Sequence, residues 1–210
     1  MANTRAFIAV NPTLALVETV RPVQQRLITA AREAEVRVLW VPLPNMHITL
    51  KFLGQVPEES LPAVGDQLRL RLEALPSVQL ELRGLGCFPS VEQPRVIWVG
   101  AHSDGDALTT LAAEINGCLE ELGFAPEERP FHGHLTLGRI KPSAPSKAPG
   151  EADKETHEGP GLQPLLEELG DHEFGPCTLH EAILYKSELS RAGAEYTPLA
   201  RFPLAGRSVD

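Results

Sequence analysis

The tetrapeptide His-Xaa-Thr-Leu occurs twice in this 210-residue chain, each time in a stretch with the composition of a β-strand. The first copy covers residues 47–50, and the second covers residues 134–137, 87 positions later. β-Branched and aromatic neighbours favour a strand at both places. A motif repeated in two segments of the same predicted structure indicates an internal duplication, with two halves of similar layout.

Hydrophobic patterning around the motifs predicts both helices and strands. Apolar residues at helical spacing predict helices over residues 14–34, 58–75 and 104–122, because a helix buries one stripe of its surface. Strands mixed with helices in both halves predict an α+β fold. Short apolar runs predict strands over residues 5–10, 37–40, 46–53, 78–85, 96–100, 134–140, 177–187 and 196–203.

One segment interrupts this pattern. Residues 142–161 are rich in Pro, Ala, Ser, Gly and acidic side chains, and such a stretch is long for a loop inside a compact domain. We therefore predict a single domain over residues 1–210 with a flexible, acidic, Pro-rich insertion at about 142–172. Residues 163–169 can add a short helix there.

The charge of the chain argues against a protein that coats nucleic acid. The formal net charge is −9, whereas contacts along many phosphates need a basic surface. Eight of the 28 acidic residues, but only two lysines, lie between Ser143 and Glu173. The rest of the chain has a net charge close enough to zero that it can hold a positive pocket for one terminal phosphate.

Other composition features predict a cytoplasmic protein without a membrane span. No apolar run approaches the roughly 18 residues that a span needs, and the N-terminus lacks the tract of a signal peptide. The three cysteines are far apart and form no CxxC pair. Reduced thiols are therefore favoured over disulfides or a structural zinc site.

The two motifs carry a pattern suited to proton transfer at phosphorus. Alternate residues of a strand share a face, so His47 lies beside Thr49, and His134 lies beside Thr136. One neutral imidazole can take a proton from water while a protonated one gives a proton to the leaving oxygen. The two hydroxyls can donate hydrogen bonds to the phosphoryl oxygens, where charge builds up.

Arg139 is a further candidate for phosphate binding, because a guanidinium suits phosphate oxygens. It lies five residues after His134, and a regular strand would point it to the opposite face. A bend at Gly138 is needed to bring it to the histidines.

Two alternatives concern neighbouring residues. His132 and His134 could bind a metal, but no carboxylate or third histidine follows at close spacing, so we predict no metal site. Six residues could line a nucleotide pocket, although core or surface positions suit each of them equally: Lys51, Phe52, Arg95, Trp98, Phe131 and Tyr185.

These residues lie in segments that resemble the 2H phosphoesterase superfamily, and within it the RNA 2',3'-cyclic phosphodiesterases, also called LigT-like 2'-5' RNA ligases. The resemblance implies a bilobal fold of two antiparallel sheets with flanking helices and a cleft between the lobes. It implies that His47 is the proton donor to the 3'-oxygen, that His134 is the proton acceptor from water, and that the product is a 2'-phosphate. The similar segments are RAFIAV, WVPLPNMHITLKFLG, LRGLGCFPS, PRVIWVG, RPFHGHLTLGRI and LYKSELSRAGAEYTPLARFPL.

The predicted activity is therefore hydrolysis of 2',3'-cyclic phosphates at RNA 3' ends or on nucleotides, by a monomer without cofactor or metal. DNA is not an expected substrate. Two rivals stay open. The same motif would serve 2'-5' RNA ligation or cleavage of 2'-5' oligonucleotides, and a non-catalytic module could bind RNA ends without turnover.

Overall fold

A computed structural model describes residues 2–141, 162–190 and 193–205 of the chain. The elements confirm a mixed α+β fold. The helices are α1 (Leu14–Glu33), α2 (Leu61–Leu72), α3 (Ala107–Glu120) and α4 (Gln163–Glu168). The strands are β1 (Asn3–Val10), β2 (Val38–Trp40), β3 (Ile48–Pro57), β4 (Val78–Pro89), β5 (Pro94–Ser103), β6 (His134–Ile140), β7 (Glu173–Leu179), β8 (Glu181–Ser190) and β9 (Gly193–Pro203).

The strands form two antiparallel halves that meet at the motif strands. The order across the sheet is β7-β4-β5-β6-β3-β1-β8-β9, and β2 pairs with the outer part of β6. Between β6 and β3 the register has one residue pair, Ile48 with Leu135. The two expected sheets are thus two lobes of one continuous nine-stranded sheet, five strands with β2 in one and four in the other, and each lobe contributes its motif strand to the junction.

The helices cover one face of this sheet. α1 packs on β7, α2 packs on α3 and β9, and α3 also packs on β3. The main core lies between them and the sheet. A smaller apolar cluster of Phe7, Ala9, Ile183 and Tyr185 lies apart from it, on the sheet face away from the helices, which we call the open face. Within the described residues, no helix is both long and apolar enough to span a bilayer.

The chain passes between the lobes at His180. β7 pairs with β4 in one lobe, whereas β8 pairs with β1 in the other. The single strand predicted over residues 177–187 was therefore wrong, because an apolar run does not reveal that its two ends join different lobes.

Part of the segment predicted as an insertion, residues 162–172, lies within the described chain. Residues 142–161 lie outside the described part of the chain. Leu162, Leu166 and Leu169 are buried in the main core, and α4 begins at Gln163. Residues 162–172 therefore belong to the packed body, and the predicted limit of 172 was too late.

Candidate active site

The junction of the two lobes brings both motifs together. Ile48 lies opposite Leu135 on antiparallel strands. Continuing this register by one residue in each direction places His47 opposite Thr136, and His134 opposite Thr49. The two histidines are then diagonal neighbours, about 7–8 Å apart between their strand positions. The two rings are close enough for the charge of His134 to act on His47.

Both imidazoles are held by the same type of hydrogen bond. Nδ1 of His47 lies 2.8 Å from the carbonyl oxygen of Asn45, and Nδ1 of His134 lies 2.7 Å from that of His132. A carbonyl can only accept, so each Nδ1 carries the proton that it donates. Nε2 of each ring is left for proton transfer.

The surroundings of both rings favour the neutral imidazole. Burial is the largest cause that lowers the pKa of His47, and the charges of Arg139 and His134 lower it further, against the hydrogen bond to Asn45. Burial also dominates the lowered pKa of His134, with contributions from the charges of His132 and Arg139. Arg139 therefore acts on both histidines, although it belongs to only one motif strand.

Aromatic rings form the wall of the first lobe. The ring of Phe7 lies 4.9 Å from that of His47, and the ring of Tyr196 meets His47 edge-on at 5.0 Å. Tyr185 stacks on Phe7 at 5.3 Å. Sequence reasoning proposed Tyr185 but missed Phe7 and Tyr196, since their strands carry no motif.

The second lobe has a matching wall. The rings of Phe88 and Trp98 lie 5.1 and 6.3 Å from that of His134, and Trp98 lies directly opposite Gly86. A Cβ atom on Gly86 would lie 2.2 Å from the Trp98 ring. Glycine at this position thus leaves room for the indole that packs near His134.

A β-bulge turns Arg139 toward the histidines. Trp98 pairs with Thr136, whereas Ile97 pairs with Gly138, so Leu137 has no partner on β5. One extra residue reverses the alternation of faces beyond it. Arg139, which pairs with Val96, consequently lies on the open face with His134 and Thr136. The predicted departure from a regular strand is present, and it begins at Leu137.

A buried glutamine holds this bulge. Nε2 of Gln24 donates to the carbonyl oxygen of Leu137 at 3.1 Å and to that of Val41 at 2.9 Å. Gln24 is only 3% exposed. It joins α1 to the extra residue of β6, and no sequence pattern linked it to the site.

The strand of the first motif has a bulge of the same kind, but a different type of residue reaches the open face beyond it. Thr49 pairs with Ala9, whereas Lys51 pairs with Ile8, so Leu50 has no partner on β1. The residue that then reaches the open face is Phe52, at 56% exposure. Phe52 occupies the position in the first lobe that Arg139 occupies in the second.

The chain is similar to known proteins over most of its length. The family model for LigT-like phosphoesterases matches residues 17–98. The RNA 2',3'-cyclic phosphodiesterase of Aeropyrum pernix is 37% identical over 74% of this chain and 80% of its own length. The enzyme of the same name from Methanothermobacter thermautotrophicus is 32% identical over 96% of this chain and 100% of its own length.

The chain belongs to the LigT-like phosphoesterases. A crystal structure of the Thermus thermophilus protein TT0787 has the same fold as this family member, with a TM-score of 0.70 and 28% identity over 97% of this chain and 100% of that one.

Some residues proposed for a nucleotide pocket lie elsewhere in this LigT-like chain. Lys51 is 2% exposed on the helix side, where its Nζ donates to Oδ1 of Asn116 and to the carbonyl oxygen of Ala125. Phe131 packs against the main core. Arg95 is exposed, and its neighbour Val96 takes the open-face position beside Arg139.

The sequence predicts that His132 and His134 do not form a metal site. Among the residues that the structure describes, no three His, Cys, Asp or Glu side chains come close enough to share an ion. His132 instead packs against the Trp98 ring at 4.8 Å, and its carbonyl oxygen holds His134.

Proposed function

We propose that this chain hydrolyses 2',3'-cyclic phosphates at RNA 3' ends to 2'-phosphates. The observation that carries the proposal is the junction of β3 and β6 at the pair Ile48–Leu135, because extending this antiparallel register puts the histidine and threonine of one motif opposite those of the other. The two relatives described above are both named RNA 2',3'-cyclic phosphodiesterase. That it works as a cytoplasmic monomer stays a prediction from the sequence.

The proposed reaction uses the two Nε2 atoms on opposite sides of phosphorus. His134 takes a proton from water as the water oxygen bonds to phosphorus. The bond between phosphorus and the 3'-oxygen breaks, and His47 gives its proton to that oxygen. The 2'-oxygen keeps the phosphate. The net reaction consumes one water, and solvent exchange restores both protonation states.

Thr49, Thr136 and Arg139 have a separate role in this proposal. The transition state places added charge on the two non-bridging oxygens, and donors fixed in advance stabilise that charge. The threonine hydroxyls sit on the same face as the histidines, and the bulge adds the guanidinium of Arg139.

One assay tests this function directly. The protein is incubated with each of the four 2',3'-cyclic mononucleotides in the presence of EDTA, and the product is identified by phosphorus NMR. We expect turnover to the 2'-phosphate. A 3'-phosphate product would contradict the assignment of the donor, and binding without turnover would favour the RNA-end binding module. Supplying an RNA with a 5'-hydroxyl and searching for 2'-5' linkages tests the ligase alternative.

The pH profile is expected to be bell-shaped with its maximum in kcat/KM below about 6.5, the ordinary pKa of histidine. One imidazole must be protonated and the other neutral, and burial lowers the pKa of both. The charge of Arg139 also lowers the pKa of both histidines. Arg139→Gln should therefore move the pH of maximal kcat/KM to a higher value, whereas Arg139→Lys should leave that pH unchanged. A wild-type maximum above about pH 7, or a Gln variant that shifts toward acid, contradicts this.

A further inference from the structure

A row of cations continues from the candidate active site along the open face. Beyond Arg139, the alternation of faces puts Lys141, the residue that directly follows β6, on the same face. On the neighbouring strand, Leu39 pairs with Arg139. The backbone N–H of Lys141 donates to the carbonyl oxygen of Arg37 at 2.8 Å, so Arg37 lies beside Lys141.

These cations border a groove between α1 and β2. The groove has a volume of about 450 Å³, and Arg32, Arg37 and Lys141 all line it. Its apolar floor includes Val36 and Trp40, and Trp40 is half-buried. Positive charge beside an aromatic ring with one accessible edge is a combination that binds a single nucleic-acid strand, with phosphates on the cations and a base against the ring.

The positive charges of this region form no ion pair within the described part of the chain. Arg32, Arg37 and Lys141 are exposed, and none is joined to a carboxylate in the ion pairs formed among the described residues. Glu33 and Glu35, in the same turn, pair with none of them either. A local excess of cations is notable in a chain whose net charge is −9.

We propose that Arg37 and Lys141 bind phosphates of the nucleotides that precede the RNA end, and that the groove at Trp40 receives one of their bases. This inference rests on the proposed function and narrows its substrate to single-stranded oligoribonucleotides. The terminal cyclic phosphate lies at the histidines, and the preceding strand runs past Arg139 on the open face to the sheet edge at β2, where the groove opens on the helix side.

The test compares a 2',3'-cyclic mononucleotide with a decameric single-stranded RNA that ends in a 2',3'-cyclic phosphate. Wild-type kcat/KM should be higher for the decamer and should fall more steeply with salt. Each phosphate contact on a single strand contributes a slope of about 0.7 in the logarithmic plot. Arg37→Gln/Lys141→Gln should lose the preference for the decamer and about 1.4 of its slope, with turnover of the mononucleotide unchanged.

The matched control is Arg21→Gln/Arg69→Gln, which removes the same charge from exposed helix positions. It should retain the preference and the slope. A double variant at Arg37 and Lys141 that behaves as wild type on the decamer overturns the assignment, and so does a control variant that loses as much. Absence of turnover on both substrates by the wild type would instead overturn the proposed function, and this inference with it.

Discussion

Replacing His134 or His47 with alanine is expected to lower kcat on a 2',3'-cyclic mononucleotide by about 10²–10⁴-fold, the usual contribution of a general acid or base. In the proposed mechanism each ring supplies one of the two proton transfers, and its Nδ1 bond to a backbone carbonyl leaves no second nitrogen to replace Nε2. The double variant should lose little more than the worse single variant, since groups that act as a unit are not additive.

His180→Ala is the matched control for these variants. His180 is exposed at the passage between β7 and β8, away from the paired motifs, so its loss should leave kcat unchanged. Circular dichroism and thermal unfolding check that all variants are folded. Near wild-type rates for folded His47→Ala and His134→Ala would refute the two-histidine mechanism.

Gln24→Leu is expected to reduce both stability and activity. The substitution removes the donor to the carbonyl oxygens of Leu137 and Val41. The Leu137 oxygen still accepts from the backbone N–H of Val41, but the Val41 oxygen loses its side-chain donor, and a carbonyl left without a partner costs about 1–3 kcal/mol. If the bulge relaxes, Arg139 leaves its place on the open face. A misplacement of about 1 Å can cost roughly 10²-fold in rate, so kcat/KM should fall well beyond what the fraction of unfolded protein explains.

A double-variant comparison separates positioning from a general loss of structure. If Gln24 acts through Arg139, adding Gln24→Leu to Arg139→Gln should reduce kcat/KM no further. Gln25→Leu is the control, because Gln25 is the exposed neighbour on the same helix. Additive losses in the double variant, or an active Gln24→Leu protein with only reduced stability, would contradict a positioning role for Gln24.

The sequence allowed the central part of this site to be predicted because the motif is local. The periodicity of a strand places His and Thr on one face whatever surrounds them. The α+β fold could be predicted in the same way, because each helix and each strand shows its own spacing of apolar residues along the sequence. How the lobes join did not follow, since the change of lobe at His180 depends on pairing partners far away in the chain.

Arg139 illustrates where local reasoning ends. Alternation along a strand indicated that a departure near Gly138 was needed, but its location at Leu137 depends on Gln24, 113 residues away in the sequence. The aromatic walls were hidden for the same reason. Phe7 reads as one more apolar residue in a buried strand, and only the register shows that it faces His47.

The exchange of Phe52 for Arg139 has a consequence for the division of labour between the two histidines. In a cleft with full two-fold symmetry, a cyclic diester would bind in two poses related by the axis, and these poses would exchange the acid and base roles of the histidines while releasing the same product. Because a phenyl ring stands on one side and a guanidinium on the other, the two poses differ in energy. The duplicated scaffold can in this way assign one role to each histidine.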